Sequence, residues 1–298
     1  MTSTETIPTQ AIGGAAPGGA SAAAKARRSE VARGLLRSPT FLIGAVILLF
    51  WVVDAIFWHA FVPHDPQQIF PDTLKGPSGS HLFGTDNLGR DVFSRLLAGA
   101  SPVLTVAPAA TALGLVGGAV VGLFTGYYRG VLDDVTMRIV DAVLAFPLVI
   151  IAVLVLTVLG SGELPVILLI AVTFVPGVAR TVRAAVLTQR ELEYVAAAKL
   201  AGASGPKIMF TEILPNVTGP IIVEGTVRLG YAIFTSATLS FLTLGIQQPS
   251  PDWGLTISLG QVYLQVAPWI VLFPALALAT LVVAVNLVAD GLQRVLDA

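Results

Sequence analysis

Residues Glu193 to Asn216 read EYVAAAKLAGASGPKIMFTEILPN. Gln189, Arg190, Glu191, Leu192 and Glu193 lead into three alanines at Ala196, Ala197 and Ala198, a run of high helix propensity and small exposed surface. Gly202 permits a turn or a close backbone approach, and Ser204, Gly205 and Pro206 reinforce the break. A second short helix can start at Pro206, since proline is tolerated in a first turn. It would carry Ile208, Met209, Phe210, Ile213 and Leu214 as an amphipathic face, and Pro215 and Asn216 would close it. The pattern predicts a helix, a glycine turn, a helix and a stop. That describes either a compact knob with small and apolar residues outward or an ordinary interfacial loop against lipid headgroups.

The sequence on both sides of this segment is of another kind. Hydrophobic residues make up 55% of the 298 residues and charged residues 12%, with a mean hydropathy of +0.82. Soluble domains carry about 25% charged residues, so the composition points to an all-α integral membrane protein. A crossing helix needs about 20 mostly apolar residues. Six stretches qualify, at 40–62, 101–126, 139–160, 164–182, 219–245 and 268–289. Asp54 and His59 fall near the far end of the first, and a tight turn at Gly160 to Leu164 separates the third from the fourth. Glu224 and Arg228 sit in the fifth, spaced to pair on one helix face.

With the N-terminus inside, thirteen Lys and Arg fall on the cytoplasmic side and three (Lys75, Arg90 and Arg95) outside. That bias predicts both termini and the 183–218 region in the cytoplasm. The expected organisation is a disordered basic cytoplasmic tail at 1–37, a first helix at 38–62 and an extracytoplasmic loop at 63–100. A membrane core at 101–290 would contain the 189–216 segment, and a cytoplasmic tail would fill 291–298. The Ala-, Gly-, Thr- and Ser-rich start is no signal peptide, because its basic cluster follows it.

Within the second stretch Gly114, Gly118, Gly122 and Gly126 recur at every fourth position. They form one small-residue ridge that would let another helix approach closely. Pro147, Pro176 and Pro274 are candidate kinks. Asp141 is expected to be satisfied locally, near Arg138.

Between the first two stretches lies HLFGTDNLGRDVFSRLLAGA, His81 to Ala100. Thr85 and Asp86 can cap a short helix running through Arg95. Asp86, Arg90, Asp91 and Arg95 alternate in sign at near-helical spacing, which favours an ordered element.

The 193–216 segment resembles the EAA loop of ATP-binding cassette (ABC) importer permeases: EAA, three residues, Gly, nine residues, an aliphatic, one residue, Leu-Pro. Ala196-Ala197-Ala198, Gly202, Ala203, Ile213, Leu214, Pro215 and Asn216 carry the likeness. Ala196 stands where the leading Glu is usual, Glu212 where an aliphatic is usual, and Glu193 lies three residues upstream. The 81–100 loop is similar to the signature HPLGTDxLGRDxxSRxxxGxR of the dipeptide, oligopeptide and nickel permease branch, C-type subunit, through Gly84, Thr85, Asp86, Gly89, Arg90, Asp91 and Arg95. RSPTFLIGAVILLF (Arg37 to Phe50) and PDWGLTISLG (Pro251 to Gly260) resemble that subunit's first span and last external loop.

The resemblance implies a type I ABC importer permease fold with six transmembrane helices and cytoplasmic coupling helices. It implies a bacterial inner membrane protein that imports dipeptides or short oligopeptides, with nickel or another small solute as the alternative. Implied partners are a B-type permease, two ATPases that bind ATP and magnesium, an extracytoplasmic solute-binding protein and the bilayer.

The chain has no Gly-x-x-x-x-Gly-Lys-Ser/Thr loop, so it is expected to be non-catalytic and free of cofactors. With no cysteine it has no thiol chemistry. His59, His64 and His81 are too few and scattered for a metal site. A net charge of -1 speaks against nucleic acid. A secondary transporter would show inverted repeats or buried coupling charges, and neither is evident.

Overall fold

The computed structural model describes residues 34–296. The expected N-terminal tail lies almost wholly outside the described residues, as does the end of the C-terminal tail. Among the described residues the chain is helical, with one isolated bridge between Thr85 and Asp91. Helix α1 spans Pro39–Phe61, α2 Val92–Ala98, α3 Ala100–Tyr128, α4 Val131–Ala145, α5 Leu148–Leu159 and α6 Glu163–Gln189. Then come α7 (Glu193–Leu200), a short α8 (Gly205–Lys207), a π-helical turn (Ile208–Ile213) and α9 (Leu214–Phe241). After α10 (Trp253–Gly260), α11 (Trp269–Leu296) ends the described chain.

The expectation of six crossing helices is not met. Among the described residues four helical stretches are long and apolar enough to cross: Pro39–Phe61, Val92–Tyr128, Glu163–Gln189 and Trp269–Val295. A fifth exists only if α4 and α5, bent by 93° at their junction, count as one broken span. The break falls at Phe146–Pro147. Pro147 is the N-cap of α5, and Phe146 takes the extended conformation (φ -83°, ψ 134°) that a following proline imposes. Pro176 and Pro274, in contrast, lie inside unbroken helices. The stretch expected as the fifth span does form a helix, α9, which is long enough but too polar over about its first half. Pro215, Asn216, Thr218, Glu224 and Arg228 all sit there.

The glycine ridge faces α6. A Cβ built on Gly114 would lie 2.8 Å from Phe174 Cβ, on Gly118 2.4 Å from Val178 Cβ, on Gly122 2.6 Å from the Ala179 carbonyl oxygen, and on Gly126 2.8 Å from Val186 Cβ. Helices α3 and α6 are therefore in backbone contact over about three turns, where only glycine fits. Around this pair two apolar clusters form. One holds Val103, Ala107, Leu169, Ile170, Ile233 and Trp253. The other joins Leu123, Val178, Val182 and Val186 to Val195, Ile208, Met209 and Ile213. That second cluster fastens the 193–216 segment to the α3–α6 pair.

Candidate functional site

The 193–216 segment is ordered, but its second half differs from the sequence expectation. Helix α7 and the Gly202 turn form as expected, with Gly202 at φ +76°, and Pro206 sits in the first turn of α8. No stop follows. The π-helical turn runs directly into α9, with Pro215 in the first turn of that helix. Leu214 N donates to Met209 O with the wider π-helical spacing just ahead of the proline. Most of the apolar face also points inward: Ile208, Met209 and Ile213 are buried. Exposed on the outer surface are Glu193, Ala196, Ala197, Gly202, Pro215 and Asn216, with Ala198, Ala203 and Leu214 half-buried. The largest exposed apolar groups are Leu200, at 90% exposure, and Phe210. Leu200 was not singled out from sequence; its place one turn beyond Ala196 on the exposed side of α7 was the available signal.

Two contacts fix where this surface stands. Arg190 Nη1 donates to the carbonyl oxygen of Tyr127, at the end of α3. Arg183 donates two hydrogen bonds to Asp133, the second at 2.6 Å, and so ties α6 to α4. Asp141 pairs with Arg180, not with the expected Arg138, because α4 lies against α6 at that point.

In the 81–100 loop, Thr85 and Asp86 are not the helix cap. Asp91 caps α2 instead, its Oδ2 accepting from Ser94 N at 2.8 Å and from Ser94 Oγ at 2.7 Å. This starts the helical stretch at Val92, ahead of the expected 101. Asp86 organises the turn before it. Its Oδ1 accepts from Leu88 N at 2.8 Å and Arg90 N at 2.9 Å, and its Oδ2 from Arg90 Nε at 2.6 Å. Gly84 and Gly89 both take φ +78°, against the Lys75 and Phe70 carbonyls. Arg95, 2% exposed, reaches the carbonyls of Pro66 and Ser250, each at 3.1 Å. Trp253, fully buried, donates to Leu96 O at 2.8 Å, and Trp269 to Thr85 O at 3.1 Å. The loops before α2 and before α10 are thus one structure.

The histidines are less scattered than the sequence suggested. Ligand atoms of His64, His81 and Asp91 lie within 4.8 Å of one another. Each ring is also in a hydrogen bond, His81 Nδ1 with Asp91 Oδ1 at 2.9 Å and His64 Nε2 with Ser80 O at 3.0 Å. Both close the same loop.

Residues 118–298 match the family model described as "Binding-protein-dependent transport system inner membrane component". The chain belongs to that family. Among curated relatives, the permease is 38% identical to the dipeptide transport system permease protein DppC of Alkalihalophilus pseudofirmus, over 90% of this chain and 88% of that protein. It is 37% identical to the glutathione transport system permease protein GsiD of Pectobacterium atrosepticum, over 90% of each. It is 36% identical to the di/tripeptide transport system permease protein DppC of Pseudomonas aeruginosa, over 85% and 86%. Among solved structures it resembles a chain of the MetNI methionine ABC transporter in an inward-facing form. The TM-score is 0.57 at 20% identity, covering 68% of this chain and 96% of that one. That likeness gives the fold, a type I ABC importer permease with the span count described above. The permease is a multi-pass membrane subunit and not itself an enzyme.

Asp252 caps α10, its Oδ1 accepting from Leu255 N at 2.9 Å. Burial pushes this carboxyl from its ordinary 3.8 up to about 6. The folded permease therefore holds the proton more tightly than the unfolded chain, and stability falls as pH rises from about 4 through about 6. Between about pH 5 and 7 the loss is about 1 kcal/mol. The melting temperature in detergent is expected to fall over that interval and Asp252→Asn to remove this component. An equal slope in the variant would exclude Asp252 as its source.

Proposed function

We propose that this permease imports dipeptides or short oligopeptides and that residues 193–216 dock the ATPase that drives it. The observation that carries the docking half is the two-sided character of the segment. Its inner face is locked into the apolar cluster of α3 and α6, while its outer face presents Glu193, Ala196, Ala197, Leu200 and Gly202. An element rigid on one side and open on the other transmits a push. Closure of two ATPases, which would hold the ATP and magnesium, then biases α3 and α6 between two access states. Support for the peptide half comes from the named substrates of the relatives.

On this reading a B-type permease completes the pathway and a solute-binding protein delivers the peptide at the surface built by Gly84, Thr85, Asp86, Gly89, Arg90, Asp91 and Arg95. The positive-inside bias puts both termini and residues 189–216 in the cytoplasm and the 63–100 loop outside the bacterial inner membrane. The glycine ridge serves as the fixed joint of the 101–290 core.

The test is uptake of a labelled dipeptide by proteoliposomes holding the whole complex, competed with longer peptides and with chelated nickel. ATP-dependent dipeptide uptake is expected, and ATP hydrolysis without it would move the substrate to another solute. Gly202→Asp is expected to insert normally yet lose ATPase co-purification and at least tenfold in uptake. Nothing lies within 4 Å of a Cβ there, so the effect comes from the left-handed backbone and the added charge, not from crowding. Normal co-purification with normal uptake would sink the docking assignment.

A further inference from the structure

We propose that the cleft beside Glu224 is a binding site for the free ammonium group of a peptide in transit, an inference that rests on the peptide reading above. The cleft has a volume of 590 Å³ and lies between α6, the first turns of α9, and α11. That volume is within the range of about 300–1,000 Å³ that suits small ligands. Its polar lining groups are Thr181, Asn216, Thr218, Glu224 and Gln293, and no Lys, Arg or His is among the lining residues.

Three side chains of this wall use a donor locally, and the exposed Gln293 amide carries no such bond among the described residues. Asn216 Nδ2 donates to Glu212 O at 2.7 Å, Thr218 Oγ1 to Pro215 O at 2.8 Å, and Thr181 Oγ1 to Gly177 O at 3.3 Å. The Thr181, Thr218 and Glu224 oxygens keep acceptor capacity for an occupant, which a three-donor ammonium complements. Glu224 supplies the charge. Its Oε1 accepts from Arg228 Nε at 2.7 Å, whereas Oε2 has one long contact, 3.4 Å to Thr181 Oγ1.

Arg228 stands beside the cleft and is not part of its lining. Its guanidinium lies over the Phe174 ring, 5.3 Å from the centroid. It also packs against Gly177, where a Cβ would fall 2.4 Å from Nη2. From that position it compensates the carboxylate from behind. A carboxylate already half-paired holds an ammonium loosely enough to let it leave, as conduction requires. A peptide carboxylate meets no counter-charge in the cleft wall and would point away from Glu224. Pro215 and Asn216 belong both to the end of the docking segment and to the cleft wall, so a movement of that segment reshapes the site.

The test uses the complete complex in proteoliposomes with its binding protein, and dialanine as the probe. Dialanine imported per ATP hydrolysed is expected to fall at least tenfold in Glu224→Gln, with binding-protein-stimulated hydrolysis within twofold of wild type. Glu224→Asp, which keeps the charge, should recover at least half of the ratio. Should Glu224→Gln not assemble, Thr181→Val removes the facing hydroxyl and leaves the ion pair, and at least a threefold fall is expected. A wild-type ratio in whichever of Glu224→Gln or Thr181→Val is measured overturns the site. So does a parallel loss of uptake and hydrolysis in Glu224→Gln, which would make Glu224–Arg228 a structural pair. A wild-type complex that imports no dialanine refutes the peptide reading and this site with it. Wild-type import with unaffected variants removes the site alone.

Discussion

Gly118→Leu is expected to lower the melting temperature of the detergent-solubilised protein by roughly 10 °C. A single Cβ at this position already lies 2.4 Å from Val178 Cβ and 2.9 Å from the Val175 carbonyl oxygen. The helix cannot step back locally, because Gly114 and Gly122 are also seated on α6 on either side, with a Cβ 2.8 and 2.6 Å from its atoms. Overpacking typically costs about 1–3 kcal/mol. Separating two helices in backbone contact belongs at the upper end, and at this chain length each kcal/mol is worth about 2–4 °C. Gly79→Leu is the control, since nothing lies within 4 Å of a Cβ there. Thermal unfolding followed by size exclusion reads both variants, and a Gly118→Leu curve matching that of Gly79→Leu would end the ridge argument.

Asp86→Ala is expected to cost about 3–5 kcal/mol, as breaking a buried charge pair does. Asp86 is 3% exposed, and Arg90 and Arg95 beside it are 6% and 2% exposed. Removing the carboxylate strips Arg90 of its partner, takes from Arg95 a carboxylate at 4.0 Å, and orphans two backbone N–H groups. The 63–100 loop should then be cut by protease far faster than in the wild type. Asp72→Ala is the comparison. Its pair with Lys75 is largely exposed, where solvent screens the attraction and little stability rests on it. Equal cleavage rates for the two variants would show that Asp86 does not organise the loop.

Much of the candidate site was legible before the fold. The alanine run, the Gly202 turn and Pro206 in a first turn are local choices, each governed by the backbone freedom of one or two residues. The Glu224–Arg228 pair followed from i,i+4 spacing on one helix. The glycines at every fourth position announced a close helix contact. Their partner, α6, could not be read, because nothing in a four-residue period says what lies opposite.

The failures have a shared physical cause. Pro215 and Asn216 looked like a stop, yet a proline can begin a helix as readily as end one. Here the burial of Ile208, Met209 and Ile213 against α3 and α6 carries the chain straight into α9. Six apolar stretches suggested six crossings, but hydropathy counts residues and does not see direction. Pro147 turns the third by 93°, and the fifth mixes apolar residues with a charge pair and a polar cleft.

The sequence by itself determined the membrane class, the family and the small-residue surfaces, because composition and local spacing act within a few turns of chain. Tertiary structure alone decided that Arg95 joins Pro66 to Ser250, that Asp141 meets Arg180, and that Glu224 shares a cleft with Thr181 and Gln293. Those partners lie tens to hundreds of residues apart. Only the packing of whole helices against one another brings them within hydrogen-bond reach.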